Sequence, residues 1–254
     1  MQSRLSGRGE RIMNKTYLIT GATSDIGLEL IKTVAKDGDK FLLQGFGDAE
    51  ALKNFCSENG IDAEYFDVNL SDSEATDKFV AALGEYSPTH FVHLPALRVV
   101  NTKFKSFDEE RFLLDMNVQV MSAVKICKAV VPKMAKAKFG RVLFMATSYV
   151  LANPPKNTAA YIMAKNAVVG LAKSLAADYA PNGITVNCIS PSMIETKFLA
   201  ETSHLIVEQA AQAHPMKRNA TVKDVVPAMA FLLSDDAGYI TGVNLPITGG
   251  SIIE

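Results

Sequence analysis

Short apolar runs alternate with longer amphipathic stretches along nearly the whole chain. The apolar runs predict β-strands at 16–20, 41–44, 61–68, 89–94, 141–146, 183–189 and 242–247. The stretches between them predict helices at 28–36, 49–58, 73–86, 107–137, 158–179 and 220–233. Alternation of this kind predicts a parallel sheet with right-handed crossovers, and therefore one doubly wound α/β domain.

Two segments depart from the regular pattern. Pro132 lies near the end of the predicted helix 107–137, where we expect a kink. Residues 192–215 mix apolar and polar positions without a clear period, and we expect a mobile segment over the carboxyl edge of the sheet.

The first strand is followed by a glycine-bearing turn, Gly21-Ala22-Thr23-Ser24-Asp25-Ile26-Gly27. A strand, such a turn and a helix place backbone N–H groups and a helix N-terminus where a pyrophosphate binds. A tight strand-to-helix connection without a ligand has the same pattern, so the turn gains weight only from other motifs.

Composition narrows the class of protein. The chain has 254 residues, is 48% hydrophobic and carries a net charge of -1. This length and apolar content suffice for one large domain, and no basic stripe indicates a nucleic-acid partner. No apolar run approaches the roughly 20 residues that span a membrane. Cys56, Cys127 and Cys188 are widely spaced, which favours reduced thiols and no metal site.

The first twelve residues are polar and basic, without the apolar core of a secretory signal. We predict a flexible extension over 1–12, a domain over 13–254 and a cytoplasmic protein.

Tyr161 and Lys165 stand four residues apart within the predicted helix 158–179. This spacing places both side chains on one helix face. An ammonium near a phenol favours the phenolate, so we expect the pKa of Tyr161 to be lowered towards neutrality. A phenol tuned in this way can exchange a proton with a carbonyl or alcohol oxygen.

Together these features resemble the short-chain dehydrogenase/reductase family over nearly the whole chain from Lys15. The resemblance rests on several motifs in a fixed order: Thr20-Gly21 with Ile26-Gly27, Asp67, Asn117, Ser148, Tyr161 with Lys165, Asn187, Pro191 with Thr196, and Gly249-Gly250. It implies a Rossmann-like, seven-stranded parallel sheet that binds NAD(H) or NADP(H) at the carboxyl ends of its strands. Strings at 183–187, 194–196 and 230–242 are similar to those of 3-oxoacyl-[acyl-carrier-protein] reductases.

The resemblance also implies roles for individual residues. The implied catalytic residues are Asn117, Ser148, Tyr161 and Lys165, with Tyr161 as the general acid and Asn117 as anchor of a water chain. The implied cofactor-binding residues are Gly21, Thr23, Ser24, Asp25, Ile26, Gly27, Asp67, Val68, Pro95, Tyr161, Lys165, Pro191, Ile194 and Thr196. Asp67 would bind the adenine amine, Thr196 the carboxamide and Lys165 the nicotinamide ribose.

The polarising hydroxyl has two candidates. Ser148 stands thirteen residues before Tyr161, as in the family, whereas counting from Gly140 favours Thr147. We give more weight to the thirteen-residue interval and predict Ser148.

Three sites differ from the family pattern. Asp25 replaces the middle glycine of the turn, and we expect its carboxylate to cap the helix and point away from the cofactor. His93-Leu94-Pro95-Ala96 replaces Asn-Asn-Ala-Gly, with His93 as an interior hydrogen-bonding residue. Ser192 replaces the glycine after Pro191, which should alter the entrance to the nicotinamide site.

Cofactor choice has little signal in the sequence. Residues 44–47 offer neither an acid for the ribose hydroxyl nor an arginine for a 2′-phosphate, and Asp48 stands slightly late for the former. The reductase resemblance favours NADP(H).

Five basic residues gather around the end of the long helix: Lys128, Lys133, Lys136, Lys138 and Arg141. They form either a solvated helix face or a docking surface for an acidic acyl carrier protein. The resemblance further implies a homodimer or homotetramer, with a hetero-oligomer as an alternative.

The sequence therefore favours an NAD(P)H-dependent reductase of a ketone, most similar to 3-oxoacyl carrier-protein reductases. One alternative is a dehydrogenase of a sugar or secondary-metabolite alcohol on the same fold. Another is a catalytically weak partner subunit, suggested by Asp25 and by residues 93–96.

Overall fold

The computed structural model describes residues 4–5, 11–12 and 14–253. Its main sheet has seven parallel strands in the order β3-β2-β1-β4-β5-β6-β7. The strands are β1 Thr16–Thr20, β2 Lys40–Gly45, β3 Ala63–Asp67, β4 His90–His93, β5 Gly140–Met145, β6 Ile184–Pro191 and β7 Asn244–Ile247. The predicted Rossmann-like sheet is confirmed, and each strand lies within three residues of its predicted bounds.

Helices cover both faces of this sheet. Their bounds are α1 Asp25–Val34, α2 Ala49–Glu58, α3 Ser73–Ala82, α4 Glu109–Met116, α5 Ser122–Ala137, α6 Ala159–Tyr179, α7 His204–Ala213 and α8 Val222–Leu233. One core cluster packs α3, α5 and α6 on one face of the sheet, and the other packs α1, α2 and α8 on the opposite face. Neighbouring residues of β1 divide between the clusters, since Leu18 belongs to the first and Ile19 to the second.

Three helix predictions needed correction. The predicted helix 107–137 is interrupted by a π-helical turn at Asn117–Met121, and α5 then continues past Pro132 to Ala137. The segment 192–215, predicted to be irregular, contains α7. Helix α1 begins three residues early because the Ser24 hydroxyl accepts a hydrogen bond from Gly27 N at 3.1 Å and so caps its first turn.

The N-terminal prediction falls mostly outside the described residues. Arg4–Leu5 pairs in antiparallel fashion with Arg11–Ile12. Residues 1–3, 6–10, 13 and 254 are not described, so the flexible extension over 1–12 and the boundary after it stay predictions.

His93 connects three elements at the centre of the sheet. Its Nε2 lies 3.1 Å from the carbonyl oxygen of Gln119 in the π turn, and its Nδ1 lies 2.8 Å from the hydroxyl of Thr20 at the end of β1. A carbonyl oxygen can only accept, so Nε2 carries the proton and Nδ1 accepts from Thr20. The interior hydrogen-bonding role predicted for His93 is confirmed.

A second interior histidine, His90, is the first residue of β4, three residues before His93. Its ring nitrogen Nδ1 lies within hydrogen-bonding distance of the Thr89 hydroxyl, and Nε2 within that of the carbonyl oxygen of Leu233. Burial lowers the pKa of both His90 and His93 to about 3, because the dry interior disfavours the imidazolium.

These lowered pKa values predict acid sensitivity. The unfolded chain takes up protons on His90 and His93 below pH about 6.5, whereas the folded chain does so only near pH 3. The stabilisation that the two neutral histidines contribute should therefore be complete above pH about 6.5. It should fall as the pH drops, by up to about 1.4 kcal/mol per pH unit for each histidine. Urea unfolding between pH 7.5 and 5 measures this slope.

The matched variant is His93→Asn, which removes one titrating ring and keeps a polar side chain. The variant should lower the free energy of unfolding at neutral pH. It should also reduce the fall of that free energy with decreasing pH by the amount that one titrating histidine contributes. An unchanged slope in the variant would show that His93 does not contribute to it.

Candidate active site

A cavity of about 1070 Å³ lies along the carboxyl edge of the sheet. The strand order reverses between β1 and β4, so the turns after these strands diverge and leave a crevice there. Gly21, Pro95, Tyr161 and Thr196 all line this cavity. It is therefore the place where the predicted cofactor and catalytic residues meet.

The glycine turn packs tightly against neighbouring backbone. Gly21 has a φ of +69°, and a Cβ there would lie 3.1 Å from Pro95 N. A Cβ on Gly27 would lie only 2.6 Å from the carbonyl oxygen of Ala22. The N–H groups of Asp25 and Ile26 are in the first turn of α1, where a helix offers no partner. This arrangement fits a pyrophosphate.

Gln44 holds this turn in place from β2. Its Oε1 accepts from Gly21 N at 3.0 Å, while its Nε2 donates to the carbonyl oxygens of Gly45 and Val68 at 3.0 and 2.8 Å. All polar atoms of the amide are thus used within the protein, so Gln44 supports the site rather than offering a group to a ligand.

Lys165 carries a buried ammonium at the centre of the site. The side chain is 2% exposed, and Nζ donates to the carbonyl oxygen of Met145 at 2.8 Å. Burial lowers the pKa of Lys165 to about 8, and the negative charge of Asp115 opposes this shift. The Asp115 carboxylate is itself buried and accepts from Gln119 Nε2 at 2.6 Å.

Tyr161 lies on the cavity wall with its ring beside this ammonium, 5.8 Å from ring centroid to Nζ. Its expected low pKa is wrong for the chain alone: burial raises the pKa of the phenol above its usual value, and a hydrogen bond with Thr147 offsets only part of the rise. The physical reason is that Lys165 donates to Met145, while the half-buried phenol has lost much of its surrounding water. Tyr161 is therefore held in its protonated form.

The hydroxyl next to this phenol belongs to Thr147. Thr147 and Ser148 are both buried, but Thr147 lines the cavity and Ser148 is not among the lining residues. Thr147 stands two residues after Met145, the last residue of β5, with an extended backbone, and Ser148 begins a 3₁₀ turn. The lining of the cavity therefore favours Thr147, and the assignment of the polarising hydroxyl to Ser148 or Thr147 stays a prediction.

Asn117 begins the π turn but does not line the cavity. Its carbonyl oxygen accepts from Ser122 N, which is the five-residue hydrogen bond that defines such a turn. Turns of this kind are frequent at functional sites. The anchoring of a water chain by Asn117 stays a prediction.

Asp67 does not line the cavity itself, and its predicted contact with the adenine amine stays a prediction. Its Oδ1 accepts from Gly47 N at 2.9 Å. The carboxylate thus holds the loop after β2. Val68 and Asn69, the next two residues, line the cavity instead.

Asp25 does not cap α1, which corrects the capping expectation. The cap is Ser24, and Asp25 Oδ2 accepts from Lys197 N at 2.7 Å. Oδ1 lies 3.8 Å from the Lys197 ammonium. Asp25 therefore connects the glycine turn to the segment after β6.

Most of the predicted cofactor-binding residues meet in the one cavity. The lining includes Gly21, Thr23, Ser24, Asp25, Ile26, Val68, Pro95, Tyr161, Lys165, Pro191, Ile194 and Thr196. Gly27, Asp67, Asn117 and Ser148 lie outside it. Gly27 is packed against Ala22, where it permits the close approach of α1.

Two lining residues carry chemistry that the sequence did not assign. Asp48 precedes α2, and its side chain makes no capping hydrogen bond. Arg98, after β4, forms an ion pair with Glu201. The sequence had set Asp48 slightly too far along the chain for a ribose acid, and Arg98 belongs to none of the recognised motifs.

The match of the chain to known proteins agrees with this geometry. The profile of a family described as Enoyl-(Acyl carrier protein) reductase matches residues 21–251. The D-beta-hydroxybutyrate dehydrogenase of Rhizobium meliloti is 28% identical, over 94% of this chain and 98% of that protein. The 3-oxoacyl-[acyl-carrier-protein] reductase MabA of Mycobacterium tuberculosis is 27% identical, over 94% and 93%.

A solved structure, that of NAD+-bound xylitol dehydrogenase, is similar with a TM-score of 0.84 and 26% identity, covering 94% of this chain and 100% of that one. The chain belongs to the short-chain dehydrogenase/reductase family and is an NAD(P)-dependent oxidoreductase of that type. Of the helices in the described part of the chain, none has the length and apolarity to cross a membrane.

The position of Thr147 predicts a clear difference between two neighbouring hydroxyls. Thr147→Ala should lower kcat about 100-fold or more with any ketone that the protein reduces, because it removes a hydrogen-bond donor at the developing oxyanion. Ser148→Ala should keep kcat within about threefold, and Thr147→Ser should retain most activity. Steady-state kinetics of the three variants measure this. The reverse ranking of Thr147→Ala and Ser148→Ala would restore the original assignment.

Proposed function

We propose that the protein reduces a ketone to a secondary alcohol with a nicotinamide cofactor, and that its best substrate is a 3-oxoacyl thioester. The observation that carries the proposal is the grouping of Tyr161, Lys165 and Thr147 on the wall of one cavity that also contains the glycine turn. A bound reduced nicotinamide supplies the hydride to the carbonyl carbon.

The chain's own residues handle the proton. Tyr161 is held protonated by burial and donates its proton to the carbonyl oxygen as negative charge develops there. Thr147 donates a hydrogen bond to the same oxygen. Lys165 is a fixed positive charge beside the ring that favours the phenolate left behind, which then regains a proton from water.

The substrate end of the cavity is mainly apolar. Its walls come from the loop after β4, from the turn after β5, from the segment between β6 and α7, and from α7 itself: Leu97, Val99, Tyr149, Pro155, Phe198, Leu199, Ile206 and Ala210. Such a wall favours an acyl chain over a polyol, whose hydroxyls would lack partners there. This supports the acyl substrate over the sugar alternative.

The cofactor proposal changes with the structure. The sequence favoured NADP(H), but the cavity end next to β2 is lined by Gln44, Gly45, Phe46 and Asp48, which include a carboxylate and no cation. A carboxylate at this place suits a free ribose hydroxyl and repels a 2′-phosphate. We therefore expect NAD(H) to bind more tightly than NADP(H).

Cofactor titration tests both the function and this preference. Fluorescence titration of the protein should give saturable binding with NADH and weaker binding with NADPH. Asp48→Asn should reduce the ratio of the Kd for NADPH to the Kd for NADH about tenfold, because it removes one negative charge beside the 2′-phosphate. Asp37→Asn, on an acid outside the cavity, is the control and should leave the ratio unchanged. If neither NADH nor NADPH binds, the result contradicts the proposed function and favours the partner-subunit alternative.

Arg98 supports a second candidate, a dehydrogenase of a short hydroxy acid. Arg98 lines the cavity, and its guanidinium pairs with the exposed Glu201. A pair this exposed is weak, so a substrate carboxylate can replace Glu201 at small cost and bind the guanidinium through two hydrogen bonds.

The two candidates predict different effects of Arg98→Gln. If the substrate is a hydroxy acid, the variant should raise KM for 3-hydroxybutyrate about 10-fold or more and leave kcat nearly unchanged. If the substrate is a 3-oxoacyl thioester, KM for acetoacetyl-CoA should change by less than about threefold. Glu201→Gln is the control, since it removes the competing carboxylate and should lower KM only for the acid.

Carrier-protein docking at the end of α5 concerns fewer residues than the sequence indicated. Lys133 Nζ donates to three carbonyl oxygens, those of Leu83, Gly84 and Tyr86, and Arg141 is buried against Phe139. These two residues are structural. Docking stays a prediction for Lys128, Lys136 and Lys138, which are exposed.

A further inference from the structure

The segment 196–202, here named the lid segment, forms one wall of the cavity between β6 and α7. Thr196, Lys197, Phe198, Leu199 and Thr202 line the cavity from this side. The backbone hydrogen bonds of the segment are mostly internal, such as Leu199 N to the carbonyl oxygen of Thr196 at 2.9 Å. It has little regular structure to hold it in place.

Two polar contacts join the lid segment to distant parts of the described chain. One is the bond from Lys197 N to Asp25, and the other is the ion pair of Glu201 with Arg98. Asp25 is 172 residues from Lys197 in sequence. The lid segment is therefore attached to the glycine turn at one end and to the loop after β4 at the other.

The Asp25 contact is the stronger of the two. Lys197 is the first residue of a 3₁₀ turn whose preceding residue, Thr196, makes no capping bond, so Lys197 N would otherwise lack a partner. Asp25 accepts this N–H at 2.7 Å, and its side chain is only 25% exposed. A hydrogen bond to a charged, partly buried acceptor contributes more than an exposed ion pair.

The contact joins the two walls between which the dinucleotide would lie. The backbone of Ser24, Asp25 and Ile26 is the proposed pyrophosphate cradle, and Ile194 and Thr196 line the same cavity from the segment after β6. A side chain that bridges these walls has to separate before a bound dinucleotide can leave. The glycine typical of this turn has no side chain with which to form such a bridge.

We propose that Asp25 is a positioning residue that attaches the lid segment to the glycine turn and thereby slows release of the dinucleotide. This inference rests on the proposed function, because it concerns the same cavity. It differs from the simpler interpretation of Asp25 as a charge that repels a pyrophosphate, and the two make opposite predictions.

The test uses two variants of Asp25 and the dissociation rate of NADH. Asp25→Ala removes the acceptor and should speed release about tenfold or more. Asp25→Asn keeps an oxygen that accepts from Lys197 N but removes its charge, and should release NADH at a rate between those of the unmodified protein and Asp25→Ala. Stopped-flow fluorescence, with excess NAD+ as the displacing ligand, measures both rates. Slower release from both variants would show repulsion and overturn the proposal.

The donor can be removed independently. Lys197→Pro deletes the N–H at a first-turn position that accepts proline, and the extended backbone of Thr196 before it is compatible with that change. It should speed release as much as Asp25→Ala does, and the double variant should be no faster than either one. Lys197→Ala, which keeps the N–H, and Glu201→Gln, which removes the other contact, are the controls and should change the rate by less than about fivefold.

A readout on the free protein separates this inference from the proposed function. Amide hydrogen exchange in residues 196–202 should be faster in Asp25→Ala and Lys197→Pro than in Asp25→Asn. Equal exchange in these three variants and in the unmodified protein would overturn the attachment even if NADH binds. Absence of NADH and NADPH binding in the unmodified protein would instead overturn the proposed function and, with it, the role in release.

Discussion

The site depends on one buried charge, the ammonium of Lys165. An ion without water around it is costly unless other groups compensate, and here the Met145 carbonyl oxygen and the Asp115 carboxylate do so. The bond to Met145 fixes α6 against the end of β5. It therefore sets the position of Tyr161, one helical turn before Lys165, and of Thr147, two residues after Met145.

Polar side chains at the centre of the sheet hold the remaining parts of the site. His93 joins β1, β4 and the π turn, and Gln44 joins β2 to the glycine turn. Each uses its hydrogen-bonding atoms within the protein, which leaves backbone groups and the side chains of Tyr161 and Thr147 to face a ligand. Replacement of the family's asparagine by His93 thus changes the residue and keeps an interior hydrogen-bonding function.

The sequence predicted the sheet well because buried parallel strands are apolar runs bounded by turns, as 16–20 shows. It did not predict the π turn, since the apolar pattern of 107–137 continues through it. It favoured Ser148 because counting back from Tyr161 assumes a loop of fixed length, whereas the structure places the preceding residue, Thr147, on the cavity wall. The partner of Asp25 lies too far along the chain for any local pattern to indicate it.

The fold alone does not determine the substrate, because the side chains that line the cavity favour different ligands. Apolar walls favour an acyl chain, Arg98 favours an acid, and Asp48 favours a dinucleotide without a 2′-phosphate. These preferences come from side chains on loops and on α7, which vary independently of the sheet.

The most direct test of the account is a crystal structure of the protein with NADH and an unreactive ketone analogue. The account predicts that the ketone oxygen lies within hydrogen-bonding distance of both Tyr161 Oη and Thr147 Oγ1, with the Lys165 ammonium close to the phenol. A ketone oxygen bound to Ser148, or a dinucleotide bound away from the glycine turn, would contradict it.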